Sequence, residues 1–296
     1  MDKNLLEQGR RFLENAYGGY RIRVYEPVTK YISTPFITPR ALYLANPTFV
    51  VTVVKSSNHD LGDYWPEMPW IFPAEVRLLA ALALAIPEGE GALTFAPYPS
   101  NRRLPIDTEL SLDEPEVIAS ITVEAESDCR KLAESQLPYR LYDWDFIQAD
   151  RVVIYNRIEL ADSLLLRGLY CLLKGQHLMA HELFGEEAFI NIQISREAAL
   201  ELIRKRLLGE GVKNPSYTDA HNYLRERFPR GGHLADFLED QHDRWVATRH
   251  PKSRFGMFWT PPLLVNDYTH THGAVVSLYR HLLLDEPSRL TADLGE

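Results

Sequence analysis

Residues 162–175, DSLLLRGLYCLLKG, mark the point at which the chain changes from strand-forming to helix-forming sequence. The leucines recur with a period of about 3.6 residues, which places most of them on one side of a helix. The pattern predicts a helix that begins after Asp162, ends near Gly175 and buries its leucine face. From here to the C-terminus the sequence predicts helices.

The first half of the chain predicts strands together with a helix. Residues 20–25 alternate in polarity, and residues 48–54 are rich in valine, so both are expected to be strands. Residues 117–123 alternate again and predict a further strand. A helix is expected from Pro73 to Ile86, because proline suits the first turn of a helix.

Four further helices are predicted, at 196–208, between Thr218 and Pro229, at 233–248 and at 271–284. Ser195 is expected to cap the first of these, because a serine hydroxyl satisfies free backbone N–H groups at a helix start. The chain is therefore predicted to be an α+β protein. Residues 1–155 would form an acidic domain of mixed strands and helices, and residues 156–296 would form a helical bundle.

Charge is divided unevenly between the two halves of the chain. The 296 residues carry a formal net charge of −9. Residues 1–150 hold 14 Lys and Arg against 22 Asp and Glu, whereas residues 151–296 hold 18 against 19. Because the acidic half repels the phosphate backbone, nucleic acid is not expected to bind there by charge.

Cysteine usage and hydropathy predict a soluble, cytoplasmic protein. Cys129 and Cys171 are the two cysteines of the chain, and their spacing fits neither a disulfide framework nor a cysteine zinc site. The first residues interrupt their apolar positions with charges, which argues against a secretory signal. The longest apolar run, residues 78–86, is too short to span a bilayer, so no membrane is expected.

Two histidine pairs have a spacing that metal sites use. His177 and His181 stand four residues apart, and His270 and His272 stand two apart. Neither pair has a recognisable acidic or cysteine partner, so surface histidines are expected rather than a metal site. The chain also lacks a Gly-x-Ser-x-Gly motif, a Gly-rich phosphate loop and a dinucleotide-binding fingerprint, and no cofactor is expected.

The run DRWVATRHP at residues 243–251 contains the strongest candidate for chemistry. Arg244 and His250 are separated by five residues. A guanidinium group can hold a phosphate oxygen, and an imidazole can move a proton near neutral pH. The alternative is that Arg244 is a solvated helix residue and His250 caps a helix that Pro251 ends.

This arrangement resembles the signature of HEPN domains, in which an Arg and a His lie a few residues apart at the end of a long helix. The predicted order of helices is similar to the antiparallel bundle of that family over roughly half of the chain. The resemblance implies a metal-independent endoribonuclease or an RNA-binding protein of a prokaryotic stress or defence system.

The same resemblance implies a role for each residue near the motif. Arg244 would stabilise the charge of the transition state, and His250 would act as general acid or base while the ribose 2′-OH attacks. Arg249 and Arg254 would contact neighbouring phosphates. A homodimer would bring two motifs together, and the N-terminal domain would sense an unknown protein partner. The alternative function is a non-catalytic dimerisation protein with Trp245 at the subunit contact.

Overall fold

The structure is a computed structural model that describes residues 20–27, 30–38, 40–45, 50–55, 73–85, 95–104, 115–119, 121–122, 139–141, 145–179, 185–228, 234–240 and 265–284. These residues form an α+β fold in which helices predominate, which confirms the predicted class. The chain divides into two compact units, and each is described by itself.

The first unit contains Met1–Leu79, Leu93–Ala149 and Glu159–Ala161, and the second contains Ala80–Ala92, Asp150–Ile158 and Asp162–Glu296. A domain is a part of a chain that can fold on its own. The division of this chain into two compact units does not show that either unit can do so. The predicted boundary between residues 155 and 156 therefore stays a prediction.

The first unit is built on a six-stranded sheet. Its strands are β1 (Tyr20–Pro27), β2 (Lys30–Thr38), β3 (Ala41–Ala45), β4 (Val50–Lys55), β5 (Phe95–Leu104) and β6 (Tyr139–Leu141). They lie in the order β5-β1-β4-β3-β2-β6, and each neighbouring pair is antiparallel except β2 with β6. The strands predicted at 20–25 and 48–54 are confirmed, with slightly different ends.

The valine-rich strand lies at the centre of this sheet. Val51, Val53 and Val54 of β4 are buried, and so is Thr52 between them. Successive side chains of a strand point to opposite faces, so burial of consecutive residues means that both faces are covered. A continuous run of β-branched residues suits such a strand, which explains why its sequence does not alternate.

The strand predicted at 117–123 is wrong, because residues 115–119 and 121–122 are helical. Pro115 stands at the first helical position, where the missing N–H costs nothing. The Thr122 hydroxyl donates to the carbonyl oxygen of Ile118 at 2.8 Å, a contact typical of a helical turn. Local helix signals therefore prevail over the alternating pattern.

The longer helices are α1 (Pro73–Ala85), α2 (Asp145–Arg157), α3 (Ser163–Met179), α4 (Gly185–Gly209), α5 (Tyr217–Arg227) and α6 (Val265–Leu284). Residues 234–240, between α5 and α6, are also helical, and the rest of the helix predicted at 233–248 lies outside the described residues. The seven described residues are called the short helix. The division between the two units falls within α1 and α2. In the part of the chain that the structure describes, no helix combines the length and apolarity needed to cross a membrane.

Two helix boundaries differ from the prediction. The residues expected to mark them, Gly175 and Ser195, lie inside helices and pack against neighbouring helices. α3 continues through Gly175 to Met179. A Cβ at Gly175 would lie 3.1 Å from the Ala188 carbonyl oxygen, so the glycine makes room for α4. Ser195 is not a cap, since α4 begins at Gly185 and the Ser195 hydroxyl is buried against the Tyr279 hydroxyl at 3.4 Å.

The second unit depends on a close approach of α3, α4 and α6. The Tyr279 hydroxyl donates to the backbone carbonyl of Ser195 at 2.8 Å. A Cβ at Gly168 would overlap the Tyr279 hydroxyl and would lie 2.9 Å from Ala198 Cβ. A residue without a side chain is therefore required at position 168.

The C-terminal part of α6 is fixed by arginines. Arg280 donates to the Leu84 carbonyl oxygen of α1 and to Asp150 of α2, the latter at 2.8 Å. Arg157 of α2 donates to the Leu283 carbonyl oxygen at 2.6 Å. Guanidinium groups thus donate hydrogen bonds to carbonyls near the C-terminal ends of two helices. These carbonyls have no backbone N–H of their own helix as a partner.

Helix α5 is defined at its start and anchored near its end. Ser216 and Asp219 form a reciprocal capping box, with the Asp219 N–H donating to the Ser216 hydroxyl at 3.1 Å. The Tyr223 hydroxyl lies 3.0 Å from Nε2 of His281 in α6, and both side chains are buried. The predicted helix between Thr218 and Pro229 is confirmed.

Replacement of Gly168 by alanine is expected to lower the free energy of unfolding by about 1–3 kcal/mol, because the added methyl group overpacks the contact with Tyr279. Gly209→Ala is the matched control, since a Cβ there meets nothing within 4 Å. Alanine favours helix, so the control should be neutral or stabilising by up to about 1 kcal/mol. Urea denaturation measures both, and equal effects would contradict the assignment.

Candidate functional site

The residues predicted to carry chemistry lie outside the described part of the chain. Arg244, Arg249, His250 and Arg254 all fall between residue 240 and residue 265. Whether they approach one another therefore stays a prediction. The described elements on either side are the short helix at 234–240 and α6.

The short helix buries one of its sides in the second unit. Leu234, Ala235 and Leu238 are buried, whereas Asp236 and Glu239 are exposed. This spacing gives one apolar and one acidic side to a single helix. The helix is therefore oriented by burial of its apolar side.

A buried arginine of α4 holds the inner side of this helix. Arg196 has no exposed surface, and its Nη1 donates to the backbone carbonyl of Leu238 at 3.2 Å. A buried cation is stable only when it is hydrogen-bonded, so this side chain ties α4 to the short helix. Arg196 stands four residues from both Ile192 and Leu200, which are buried. An arginine at helical spacing within an apolar face was the sequence signal for its burial.

An exposed arginine of α5 contacts the outer side of the same helix. Nη2 of Arg225 lies 2.8 Å from Asp236 and 3.4 Å from Glu239, while Nη1 donates to Asn222 at 3.0 Å. Solvent screens such pairs, so they contribute more to orientation than to stability. The short helix is consequently held from two sides by arginines of two other helices.

A polar cluster lies between α3 and α6. Gln176 donates from its amide nitrogen to Nε2 of His272 across 2.5 Å, which assigns the ring proton to Nδ1. The Tyr268 ring stacks on the His272 ring, with 5.8 Å between centroids and 23° between planes. Among the described residues, the Tyr268 hydroxyl has no hydrogen-bond partner.

Desolvation decides the charge of this cluster. Burial of the His272 ring against its neighbours lowers its pKa from about 6.5 to about 4, and burial raises the pKa of Tyr268 above its usual range. Both groups are therefore neutral near pH 7. His272 is suited to accept a hydrogen bond within the fold and unsuited to attract a phosphate by charge.

Gln193 of α4 is a buried amide that has no hydrogen-bond partner among the described residues. The residue has no exposed surface, and in the described structure neither its amide nitrogen nor its oxygen is hydrogen-bonded. It precedes Arg196 by three residues and so lies on the same side of α4. An unsatisfied buried amide costs about 1–3 kcal/mol.

Histidine pairs do not come together as a metal centre in the described residues. Nowhere in these ranges do three or more His, Cys, Asp or Glu side chains approach closely enough to hold a metal ion. His270 faces the ring of Phe237, with 6.5 Å between centroids, whereas His272 faces Gln176. His181 lies outside the described residues.

Comparison with known proteins identifies no relative of this chain. No model of a protein family matches the chain, and no curated protein and no solved structure is significantly similar to it. The resemblance to HEPN domains thus depends on Arg244, His250 and the order of helices alone.

Stability is expected to fall at acidic pH because of His272. Its pKa is lower in the folded state, so between about pH 6.5 and pH 4 the unfolded chain binds more protons. The free energy of unfolding is unaffected by this group above pH 6.5 and decreases by about 3 kcal/mol at most as the pH falls to 4. Urea denaturation across this range should show a shallower decrease for His272→Gln, which has no titrating ring. Parallel curves for the two proteins would contradict this origin.

Replacement of Gln193 by methionine is expected to stabilise the protein by about 1 kcal/mol, because a side chain of similar shape removes two unsatisfied polar atoms. Gln176→Met is the matched control. It removes the hydrogen bond to His272 and should destabilise. A loss of stability on Gln193→Met would show that this amide has a partner in solution.

Proposed function

We propose that the helical unit binds RNA and cleaves it through Arg244 and His250, in the manner that its resemblance to HEPN domains implies. Arg249 and Arg254 contact adjacent phosphates, and two copies of the chain form the active dimer. The same proposal includes that the helices of this chain form the antiparallel bundle of that family. The observation that carries it is the motif itself, together with the anchored short helix that precedes it.

The short helix lies close to the motif along the chain. Arg244 follows Asp240 by four residues, and an extended chain spans at most about 3.6 Å per residue. The Cα atom of Arg244 therefore lies within about 14 Å of the Cα atom of Asp240. The short helix itself is held by Arg196 and Arg225.

The proposed reaction needs a proton acceptor and a stabilised anion. The 2′-OH attacks the adjacent phosphorus as its proton passes to a base, and the bond from phosphorus to the 5′ oxygen breaks as that oxygen takes a proton. His250 serves as the acid or the base, and Arg244 stabilises the charge on the phosphoryl oxygens. The products are a cyclic phosphate and a 5′-OH, and no metal is required.

A second candidate is a non-catalytic interaction protein that forms a homodimer. Leu208, Val212 and Tyr217 are exposed by 58%, 37% and 45%. They lie at the end of α4, in the turn that follows and at the first residue of α5. Exposed apolar groups close together in the chain favour a protein contact. On this alternative, His250 only caps a helix, and the N-terminal domain binds a protein that remains unidentified.

Cleavage of a mixed pool of single-stranded and structured RNA in EDTA tests the proposal. The wild-type protein should cut, and Arg244→Ala with His250→Ala should reduce the rate by at least about 100-fold while the circular dichroism spectrum is unchanged. Arg206→Ala, a surface change on α4, is the control and should cut at the wild-type rate. Arg249→Ala and Arg254→Ala should weaken binding and make it less dependent on salt.

Two outcomes would count against the proposal. Cleavage that survives in the double variant would mean that other residues or a contaminant act. An absence of both binding and cleavage at high protein concentration would favour the interaction protein. Sedimentation of the wild-type protein beside Leu208→Ser and Val212→Ser would then test whether these side chains mediate association.

A further inference from the structure

An exposed aromatic ring stands where the turn between α4 and α5 ends. Tyr217 is the first residue of α5, and 45% of its surface is exposed. The guanidinium carbon of Arg204 lies over the ring, 5.0 Å from the ring centroid. This distance is typical of a cation–π contact. Arg204 therefore orients the ring while much of the residue stays open to solvent.

Arg204 is itself held in place by two hydrogen bonds. Its Nε donates to the backbone carbonyl of Pro215 at 2.7 Å, and its Nη1 donates to Glu201 at 2.6 Å. Pro215 belongs to the turn and Glu201 to α4, so one guanidinium group connects the helix, the turn and the ring. A ring positioned before binding loses little conformational freedom when a ligand stacks on it.

Basic residues surround this ring, although the chain as a whole is acidic. Residues 204–217 hold four Lys and Arg against one Glu, whereas the whole chain has a formal net charge of −9. Lys205 and Lys213 are exposed. A local excess of positive charge favours contact with a phosphate backbone.

An exposed leucine extends the apolar part of this surface. Leu208 follows Arg204 by four residues and Lys205 by three, so it lies on their side of α4, with 58% of its surface exposed. Apolar and aromatic groups between basic residues suit unpaired nucleotides, because the bases stack on the ring while the cations contact phosphates. The charge favours this occupant over a second copy of an acidic chain.

We infer that Tyr217, supported by Arg204, is a stacking site for an unpaired RNA base, and that Lys205 and Lys213 contact neighbouring phosphates. The inference rests on the proposed function and names its substrate, an RNA that is single-stranded where it meets the turn. The site consists of α4, the turn and α5, and its geometry does not depend on the position of the Arg244 and His250 motif.

Binding of a labelled single-stranded RNA of about 12 nucleotides to the full chain tests the site, with fluorescence anisotropy as the readout. Its 2′-OH groups are methylated, so the probe cannot be cut. Tyr217→Ala should raise the Kd by about 5- to 100-fold, because it removes the ring on which a base stacks. Tyr217→Phe keeps the ring and should bind like the wild type.

A probe of the same length without bases separates stacking from charge. The wild type should bind it more weakly than the probe with bases, and Tyr217→Ala should bind the two about equally. Lys213→Gln should make binding less dependent on salt. Arg206→Gln is the matched charge control, because Arg206 stands two residues after Arg204 and so points to the other side of α4. It should leave the preference for bases unchanged.

Three outcomes would overturn the inference. The first is an unchanged Kd for folded Tyr217→Ala, and the second is a wild-type protein that does not distinguish the two probes. The third is altered sedimentation of Tyr217→Ala without altered RNA binding, which would assign the ring to a contact between two copies of the chain.

Cleavage assays separate this inference from the proposed function. RNA cleavage that is lost in the Arg244 and His250 double variant, beside unchanged binding by Tyr217→Ala, would support the nuclease and reject the stacking site. Base-dependent binding that is lost in Tyr217→Ala, in a protein that never cuts RNA, would support the stacking site and reject the nuclease.

Discussion

The contact between Tyr279 and Gly168 determines how the helices of the second unit lie together. The phenol ring occupies the space that any side chain at position 168 would need, and its hydroxyl donates to the Ser195 carbonyl. Burial raises the pKa of Tyr279 above its usual range, so the hydroxyl stays neutral. Because α6 is fixed in rotation at Tyr279, the direction of its other polar side chains follows. His272, seven residues earlier, faces Gln176.

Buried arginines connect the helices of this unit through backbone carbonyls. Arg196 donates a hydrogen bond to the carbonyl of Leu238. Arg280 donates to the carbonyl of Leu84 and to the Asp150 carboxylate. A buried cation destabilises the fold unless donors and charge are satisfied. A carbonyl near a helix end offers an acceptor whose position depends on the whole helix. These contacts consequently specify geometry more than they add stability.

The residues proposed for chemistry are not among the polar residues that the structure describes. His272 is kept neutral and hydrogen-bonded inside the fold, which suits a structural role. The motif with Arg244 and His250 follows a helix whose inner and outer sides are both held by arginines.

The sequence by itself determined the elements whose signals are local. The leucine period predicted α3, the valine run predicted β4, and Pro73 predicted the start of α1, because each signal depends on neighbours within a few residues. Tertiary structure alone decided the lengths of α3 and α4. Gly175 and Ser195 would normally stop or start a helix, but their roles are set by Ala188 and by Tyr279, which no local pattern indicates. The hydrogen-bond acceptor of Arg196 was also decided by tertiary structure, since it is a backbone carbonyl 42 residues later in the chain.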